Sequence, residues 1–305
     1  MKTVLITGGT GLIGKALSKM LISKGYRVII LSRSLKPSRQ NLSFAVWDIQ
    51  HQTIDLEAIR KSDHIIHLAG AGVADKRWSA KRKREIVDSR VKSGELLVNV
   101  LKSQPHQVKT LVSASAIGWY GPDPSLPNVH PFVESDPPAT DFLGNTCRVW
   151  EQSIDPVIQL GIRLVKLRTG IVMSNEGGAF MEFKRPAKFG IATILGSGKQ
   201  MISWIHIDDL CRMYIAAIEN DKLQGAYNAV APHPVSNKEM LLKTTAMIRG
   251  KAFIPIHVPA FALRIAIGEM SIEVLKSATV SGKKISQTGF AFLFPSCESA
   301  INALK

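Results

Sequence analysis

An α/β fold, a doubly wound parallel sheet with a smaller C-terminal lobe, is what this sequence predicts, on three observations. Short apolar runs alternate with stretches of helical period from the first residues onward. A glycine triplet sits at the first run-to-helix junction. The alternation then loosens after residue 172. Runs that are continuously apolar, rather than alternating, suit strands covered by helices on both faces.

Residues 3–7 form the first run, and Leu12, Ile13, Ala16, Leu17, Met20 and Leu21 then share one helical face. Gly25 ends that helix and Arg27-Val28-Ile29-Ile30-Leu31 makes a second strand. Further runs at Ser43–Trp47, His64–Ala69, Thr110–Ala114 and Arg163–Leu167 alternate with helical patterns at Lys81–Lys102 and Cys147–Leu160. The loop Tyr120–Asp141 holds Pro122, Pro124, Pro127, Pro131, Pro137 and Pro138. A loop so long is usually functional or poorly ordered, and this one leaves the sheet on the edge where α/β proteins bind ligands.

Beyond residue 172, Gly177, Gly178, Gly190, Gly196 and Gly198 mark a loop-rich stretch. Trp204-Ile205-His206-Ile207 predicts a short strand, with Asp208 capping a helix over Asp209–Glu219. The tail carries helical patterns at Ala260–Leu275 and Glu298–Leu304 rather than another strand–helix repeat. The division expected is a sheet domain over 1–172, completed by about 201–232, with 173–200 and 233–305 as the smaller lobe. A chain of 305 residues is long enough for both.

Composition narrows the function class. Hydrophobic residues at 45% and charged residues at 21% are ordinary for a globular protein, and no apolar run reaches the length of about 18 residues that a membrane span needs. Met1–Ile6 could begin a signal peptide, but the run stops at Thr7-Gly8-Gly9 without a cleavage site, so a cytoplasmic location is expected. Cys147, Cys211 and Cys297 are odd in number and far apart, which excludes a fully paired disulfide framework and fits no metal-ligand spacing. The net charge of +15 is densest at Lys76–Arg84. Nucleic-acid binding would want a recognised module or interleaved aromatics, and neither is present. Membrane attachment by charge alone is discounted, leaving a solvated helix face or an anionic small molecule as the partner of that charge.

The turn Thr7-Gly8-Gly9-Thr10-Gly11-Leu12-Ile13-Gly14 carries the most specific chemistry. Between a strand and a helix, Gly8 permits a tight turn, Gly11 lets the backbone approach a pyrophosphate, and Gly14 lets helix and strand pack closely. A dinucleotide phosphate then rests on the free N–H groups of the helix start, which predicts a Rossmann-like sheet and a nicotinamide cofactor. The second strand ends in Ser32-Arg33-Ser34, without the carboxylate that would hold a ribose 2′-hydroxyl. A guanidinium suits a 2′-phosphate, so NADP(H) is expected over NAD(H). Asp48, closing the third strand, is placed either to meet the adenine amino group or to cap its own loop.

With these features in place, the chain resembles the extended short-chain dehydrogenase/reductase superfamily over its length, through TGGTGLIG (7–14), HLAG (67–70), SASAIGWYG (113–121), LRTGIV (167–172) and WIHIDDL (204–210). It is more similar to an atypical NAD-dependent epimerase/dehydratase-like group with a small C-terminal domain of unknown function. Residues 76–90, with Arg77-Trp78 and Glu85 to Arg90, carry that closer resemblance, as do 225–240 and the tail from Pro255 to Leu304. The resemblance implies that Leu68, Ala69, Gly70 and Ser113 line the cofactor. It also implies that Glu85 and Arg90 flank the site on a long helix, with Arg90 a hydrogen-bond or charge partner for the cofactor, and that Val172 lies near the nicotinamide.

The superfamily's usual catalytic set is a Ser or Thr, a Tyr, and a Lys four residues after the Tyr. The tyrosine moves a proton as hydride moves, the lysine cation lowers its pKa and holds the ribose, and the serine orients the substrate. Ser115 supplies the serine, but no Tyr-x-x-x-Lys exists, because Tyr26, Tyr120, Tyr214 and Tyr227 are followed four residues on by Ile30, Pro124, Ile218 and Ala231. Alignment on Trp150-Glu151 puts Leu143 in the tyrosine position and Cys147 in the lysine position. Tyr120, five residues after Ser115, is the best proton donor the sequence offers; Cys147, Asp141, Glu151 and His206 are weaker substitutes. Two functions follow: an NADP(H)-dependent reductase or epimerase of a small carbonyl or hydroxyl compound, or a non-catalytic NADP(H) sensor.

Overall fold

The computed structural model describes residues 1–305, and its first apolar run is strand β1 (Thr3–Thr7), buried at every position. Helix α1 (Leu12–Ser23) follows the glycine turn and ends at Gly25, whose φ of 86° is cheap only for glycine. Next come β2 (Arg27–Ser32), β3 (Leu42–Asp48), β4 (Thr53–Ile54), α2 (Leu56–Arg60), β5 (His64–His67), α3 (Ala80–Ser103), β6 (Thr110–Ala116), α4 (Phe142–Ile154) and β7 (Arg163–Thr169). The smaller elements are β8 (Ile171–Met173), α5 (Ala179–Ala187), β9 (Ile191–Leu195), β10 (Met201–Ile202) and β11 (Trp204–His206). After α6 (Ile207–Glu219) and β12 (Gly225–Ala229), the chain closes with β13 (Val235–Ser236), α7 (Asn237–Arg249), β14 (Ile254–Val258), α8 (Ala260–Ile267), α9 (Ser271–Leu275), α10 (Lys283–Ser286) and α11 (Cys297–Ala303).

The main sheet runs β12-β7-β6-β5-β1-β2-β3-β4 and is parallel except for β4 on β3. From β1 the chain steps outward through β2 and β3, then returns to the other side of β1 for β5, β6 and β7. The switch point therefore lies between β1 and β5, where the C-terminal strand ends open a crevice for ligands. Val4 and Ile6 point to one face, packing with Leu17, Leu21 and Tyr214 of α1 and α6. Leu5 points to the other, packing with Leu97, Leu101 and Ile154. Both sides of each central strand are thus dry, which is why the runs are continuously apolar, and each such side chain contributes about 1.5–3 kcal/mol.

Outside the main sheet lie three strand pairs: β8 with β11, β9 with β14, and β10 with β13. A third core of Met173, Phe180, Trp204, Met240 and Ile301 lies beneath them. Three expectations need correction. The stretch 254–258 is a strand paired in parallel with β9, not helical tail. The pattern Ala260–Leu275 is two helices, parted at Gly268, which has φ 63°. The helix after β11 is capped by His206, whose Nδ1 accepts from the Asp208 N–H at 3.2 Å, so Asp208 lies inside the first turn. The proline-dense loop is tied down by Asp123, whose carboxylate accepts from Ser277 Oγ, Thr279 Oγ1 and the Thr279 N–H.

Candidate functional site

The glycine turn has no slack. A Cβ on Gly14 would lie 2.4 Å from the Gly9 Cα, and one on Gly8 would lie 2.8 Å from the Leu68 carbonyl carbon. Gly8 also has φ 66°. Gly11 is the N-cap of α1, with its own N–H donated to the Gly8 carbonyl at 3.0 Å; there is no side-chain cap and no acid in the first turn, so no side chain competes for the N–H groups of that turn. Such a helix start fits a dinucleotide pyrophosphate.

A buried relay fixes the turn to β5. Thr7 Oγ1 accepts from the Leu68 and Ala69 N–H groups at 3.0 and 3.1 Å, so its proton must go to His67 Nδ1 at 2.8 Å. His67 then carries its hydrogen on Nε2, 3.3 Å from Ser93 Oγ, and Ser93 donates to the Ser89 carbonyl at 2.7 Å. Every member is satisfied only while His67 is neutral. Burial enforces that state, pulling its pKa down to about 4.

On the far side of β1, Ser32 ends β2 with its hydroxyl donated to the Ser34 carbonyl, and Arg33 is exposed just beyond. Asp48 ends β3 and caps its own turn. Its Oδ1 accepts from the Gln50 and His51 N–H groups at 2.8 and 3.1 Å, and its Oδ2 lies 2.7 Å from His51 Nδ1. The His51 hydrogen bond lowers the Asp48 pKa, and Asp48 in turn raises that of His51.

Beyond β5, Leu68, Ala69 and Gly70 follow the strand, and Arg90 packs against Gly70, its Cζ 3.1 Å from where a Cβ would be. Arg90 is 9% exposed. Its Nη1 donates to the carbonyls of Ala71 and Ile86, both at 2.9 Å, and its guanidinium lies 4.9 Å from the centroid of the Trp150 ring. Glu85 lies on the solvent face of α3, paired at 2.7 Å with the buried Arg82. Val172 lies in β8, and the loop after it brings Gly178 onto the Leu12 side chain of the phosphate turn.

Ser113 and Ser115 are buried near the end of β6. Ser113 donates to the Ala114 carbonyl, whereas Ser115 donates to Glu151 Oε1 at 2.7 Å. Glu151 also accepts from Arg168 Nε at 2.8 Å and Nη2 at 3.2 Å, a bidentate pair, and has Lys166 Nζ at 3.3 Å. Arg168 lies 3.6 Å from the Trp119 ring centroid and donates through Nη1 to Tyr120 and to the Glu134 carbonyl, both at 3.1 Å. Although burial opposes the charge, the two cations and the serine hold the Glu151 pKa below the usual range.

Tyr120, expected as the proton donor, is placed otherwise. It is 1% exposed, donates its hydroxyl to Asn228 Oδ1 at 2.7 Å, and stacks on Phe132. Burial pushes its pKa up to about 12. A phenol committed at both ends inside the core has no free edge for a substrate. Leu143 lies in the first turn of α4 against Gly118, and Cys147 one turn on, with Sγ 3.7 Å from the Ala116 carbonyl. Burial raises the Cys147 thiol to about 12, so it is neutral. The C-terminal lobe reaches across to this helix. Lys276 Nζ lies 2.7 Å from Glu273 and 3.6 Å from Asp141, and Asp141 caps α4 through the Gly144 N–H.

The sequence reading missed Arg168, Lys166, Glu134 and Asn228. The available signal was a pair of cations, Lys166 and Arg168, within the otherwise apolar run 164–168.

The signature of the NAD dependent epimerase/dehydratase family matches residues 4–142, and a domain of unknown function, DUF1731, matches residues 258–304. The epimerase family protein SSP1921 of Staphylococcus saprophyticus is 35% identical over 100% of this chain and 99% of its own. This chain belongs to the NAD-dependent epimerase/dehydratase family. Epimerase family protein YfhF of Bacillus subtilis is 34% identical, covering 99% of this chain and 97% of its own. The crystal structure of human epimerase family protein SDR39U1 with NADPH superposes with a TM-score of 0.86 at 28% identity, covering 99% of this chain and 98% of that one. The Rossmann-like fold and the atypical short-chain dehydrogenase/reductase architecture are thereby shown. No helix of this chain is long and apolar enough to cross a membrane.

Proposed function

We propose that this protein is an NADP(H)-dependent reductase or epimerase of a small carbonyl or hydroxyl compound. The observation that carries the cofactor half is the uncapped glycine turn followed, at the end of β2, by Arg33 and no carboxylate. A guanidinium there favours the extra 2′-phosphate. The human relative crystallised with NADPH supports the same choice. When bound, the nicotinamide gives or takes the hydride.

Ser115 is the substrate-orienting group in this reading. Because its proton is committed to Glu151, its oxygen is left as an acceptor, suited to a substrate hydroxyl. The basic run Lys76–Arg84, on which Arg77 is exposed, favours an anionic substrate through the positive field it adds. A second reading, a non-catalytic NADP(H) sensor, is favoured by Leu143 and Cys147 in the positions of the usual tyrosine and lysine.

Two measurements test these statements. Titration of NADPH and NADH against wild type and Arg33→Ala should show a wild-type preference for NADPH of at least about tenfold, which the variant loses; one charge-assisted contact accounts for that much. Equal wild-type affinities would overturn the NADP(H) assignment. Turnover in a screen of carbonyl and hydroxyl compounds that Ser115→Ala abolishes supports the enzyme, whereas tight cofactor binding with no turnover supports the sensor.

A further inference from the structure

Two arginines of α3 lie beneath the loop that follows β5, and the carboxylates are shared unequally between them. Arg82 takes both, Asp75 at 3.5 Å and Glu85 at 2.7 Å. Arg90, two turns further along the helix, has none within ion-pairing distance. Its recorded partners are two backbone carbonyls through one nitrogen, and the face of Trp150. A guanidinium stays charged even when buried. Arg90 is therefore a positive charge held in low dielectric with no carboxylate in direct contact, Asp75 acting on it only from beyond ion-pair distance, an arrangement that is costly unless something near it uses the field.

Its place in the fold says what that could be. The pyrophosphate turn lies at β1 and the 2′-phosphate end at β2, so the rest of a dinucleotide extends the opposite way, over the ends of β5 and β6. Gly70, directly after β5, is the residue Arg90 packs against. Trp150, on its other side, is one turn along α4 from Cys147, the position at which the superfamily carries its lysine. The thiol there is neutral.

We propose that Arg90 replaces the missing lysine cation and biases the site toward the reduced cofactor, so that NADPH is bound in preference to NADP+. The two forms share their phosphates and differ at the ring: the oxidised pyridinium carries a unit positive charge, the dihydropyridine none. At an effective dielectric of about 20, two like unit charges still repel by an amount equal to about tenfold in binding when about 10 Å apart. An unpaired guanidinium penalises the pyridinium; one neutralised by a carboxylate would not. This inference rests on the NADP(H) reading above and adds the redox form.

The test uses the full chain and equilibrium binding, with no substrate. Dissociation constants for NADPH and NADP+ are measured with wild type, Arg90→Lys and Arg90→Met. Wild type should bind NADPH at least about tenfold more tightly than NADP+. Arg90→Met, similar in length but uncharged, should bring the ratio toward one, chiefly by tightening NADP+, and Arg90→Lys should keep most of the preference. Near-equal wild-type affinities overturn the proposal on their own, so it stays falsifiable if Arg90→Met does not fold. An unchanged ratio in a folded Arg90→Met also overturns it while leaving the cofactor assignment intact. Failure of both forms to bind the wild type overturns both.

Discussion

Replacing Arg168 by methionine removes two of the hydrogen bonds that hold Glu151, a carboxylate only 3% exposed, while leaving Lys166 at 3.3 Å and the Ser115 hydroxyl at 2.7 Å. Breaking a buried ion pair from one side costs about 3–5 kcal/mol, because the remaining charge stays dry and short of partners. With Lys166 still in place, the loss should fall at the lower end, about 3 kcal/mol. Glu151→Leu strands the other partner. Arg168 would keep Tyr120, the Glu134 carbonyl and the Trp119 face, but no anion beyond those, and a loss of about 3–5 kcal/mol is expected. The double variant removes both charges together, so it should be more stable than the sum of the single losses by about 2–3 kcal/mol. Urea unfolding followed by tryptophan fluorescence and circular dichroism gives all four stabilities, with the five tryptophans as reporters. A coupling within about 0.5 kcal/mol of zero would refute the account of Glu151 and Arg168 as a mutually dependent pair.

Acid should weaken the fold through His67. An imidazole whose pKa falls from 6.5 to about 4 on folding takes its proton first in the unfolded chain, so its contribution is full above pH 6.5 and is lost as pH drops toward 4. That contribution is about 3 kcal/mol at most, and His67→Gln should flatten the pH dependence between 6.5 and 4; an equally steep variant would contradict it. Cys147, Cys211 and Cys297 are buried, with thiols pushed up to about 12. They should stay inert to a thiol-specific disulfide reagent at neutral pH and react on unfolding, so rapid labelling of the native protein would refute their burial.

The legible features of the sequence were the local ones. A turn that needs three glycines within seven residues declares itself, as do strands dry on both faces, because neither depends on a distant partner. β14 escaped notice because four of its five residues are exposed and it contains Pro255, leaving no period to read. His206 escaped notice as a cap because an imidazole fills that place only when burial keeps Nδ1 an acceptor. The polar network around Ser115 was out of reach for another reason. Glu151 meets Arg168 from 17 residues away, and Tyr120 meets Asn228 from 108. Without those partners Tyr120 looked like a free phenol beside the site, and the fold removed that role by spending its hydroxyl.

Cys147 shows how the glycine turn and the usual proton-transfer residues have come apart in this chain. Two guanidiniums act on it from opposite sides, Arg90 from α3 and Arg168 from β7, yet burial dominates and the thiol stays protonated. The two arginines have different uses because of their counter-charges. Arg168 is neutralised by Glu151 and further tied by Tyr120, Glu134 and Trp119, so its charge is consumed in joining β6, β7 and α4. Arg90 has no such partner. A lysine at position 147 would have supplied a cation on α4; here a buried cation without a direct ion-pair partner comes instead from α3. If Arg90 plays the part proposed for it, the ring-end charge no longer depends on that helix, and the glycine turn can persist in a chain whose α4 has given up the Tyr-x-x-x-Lys chemistry.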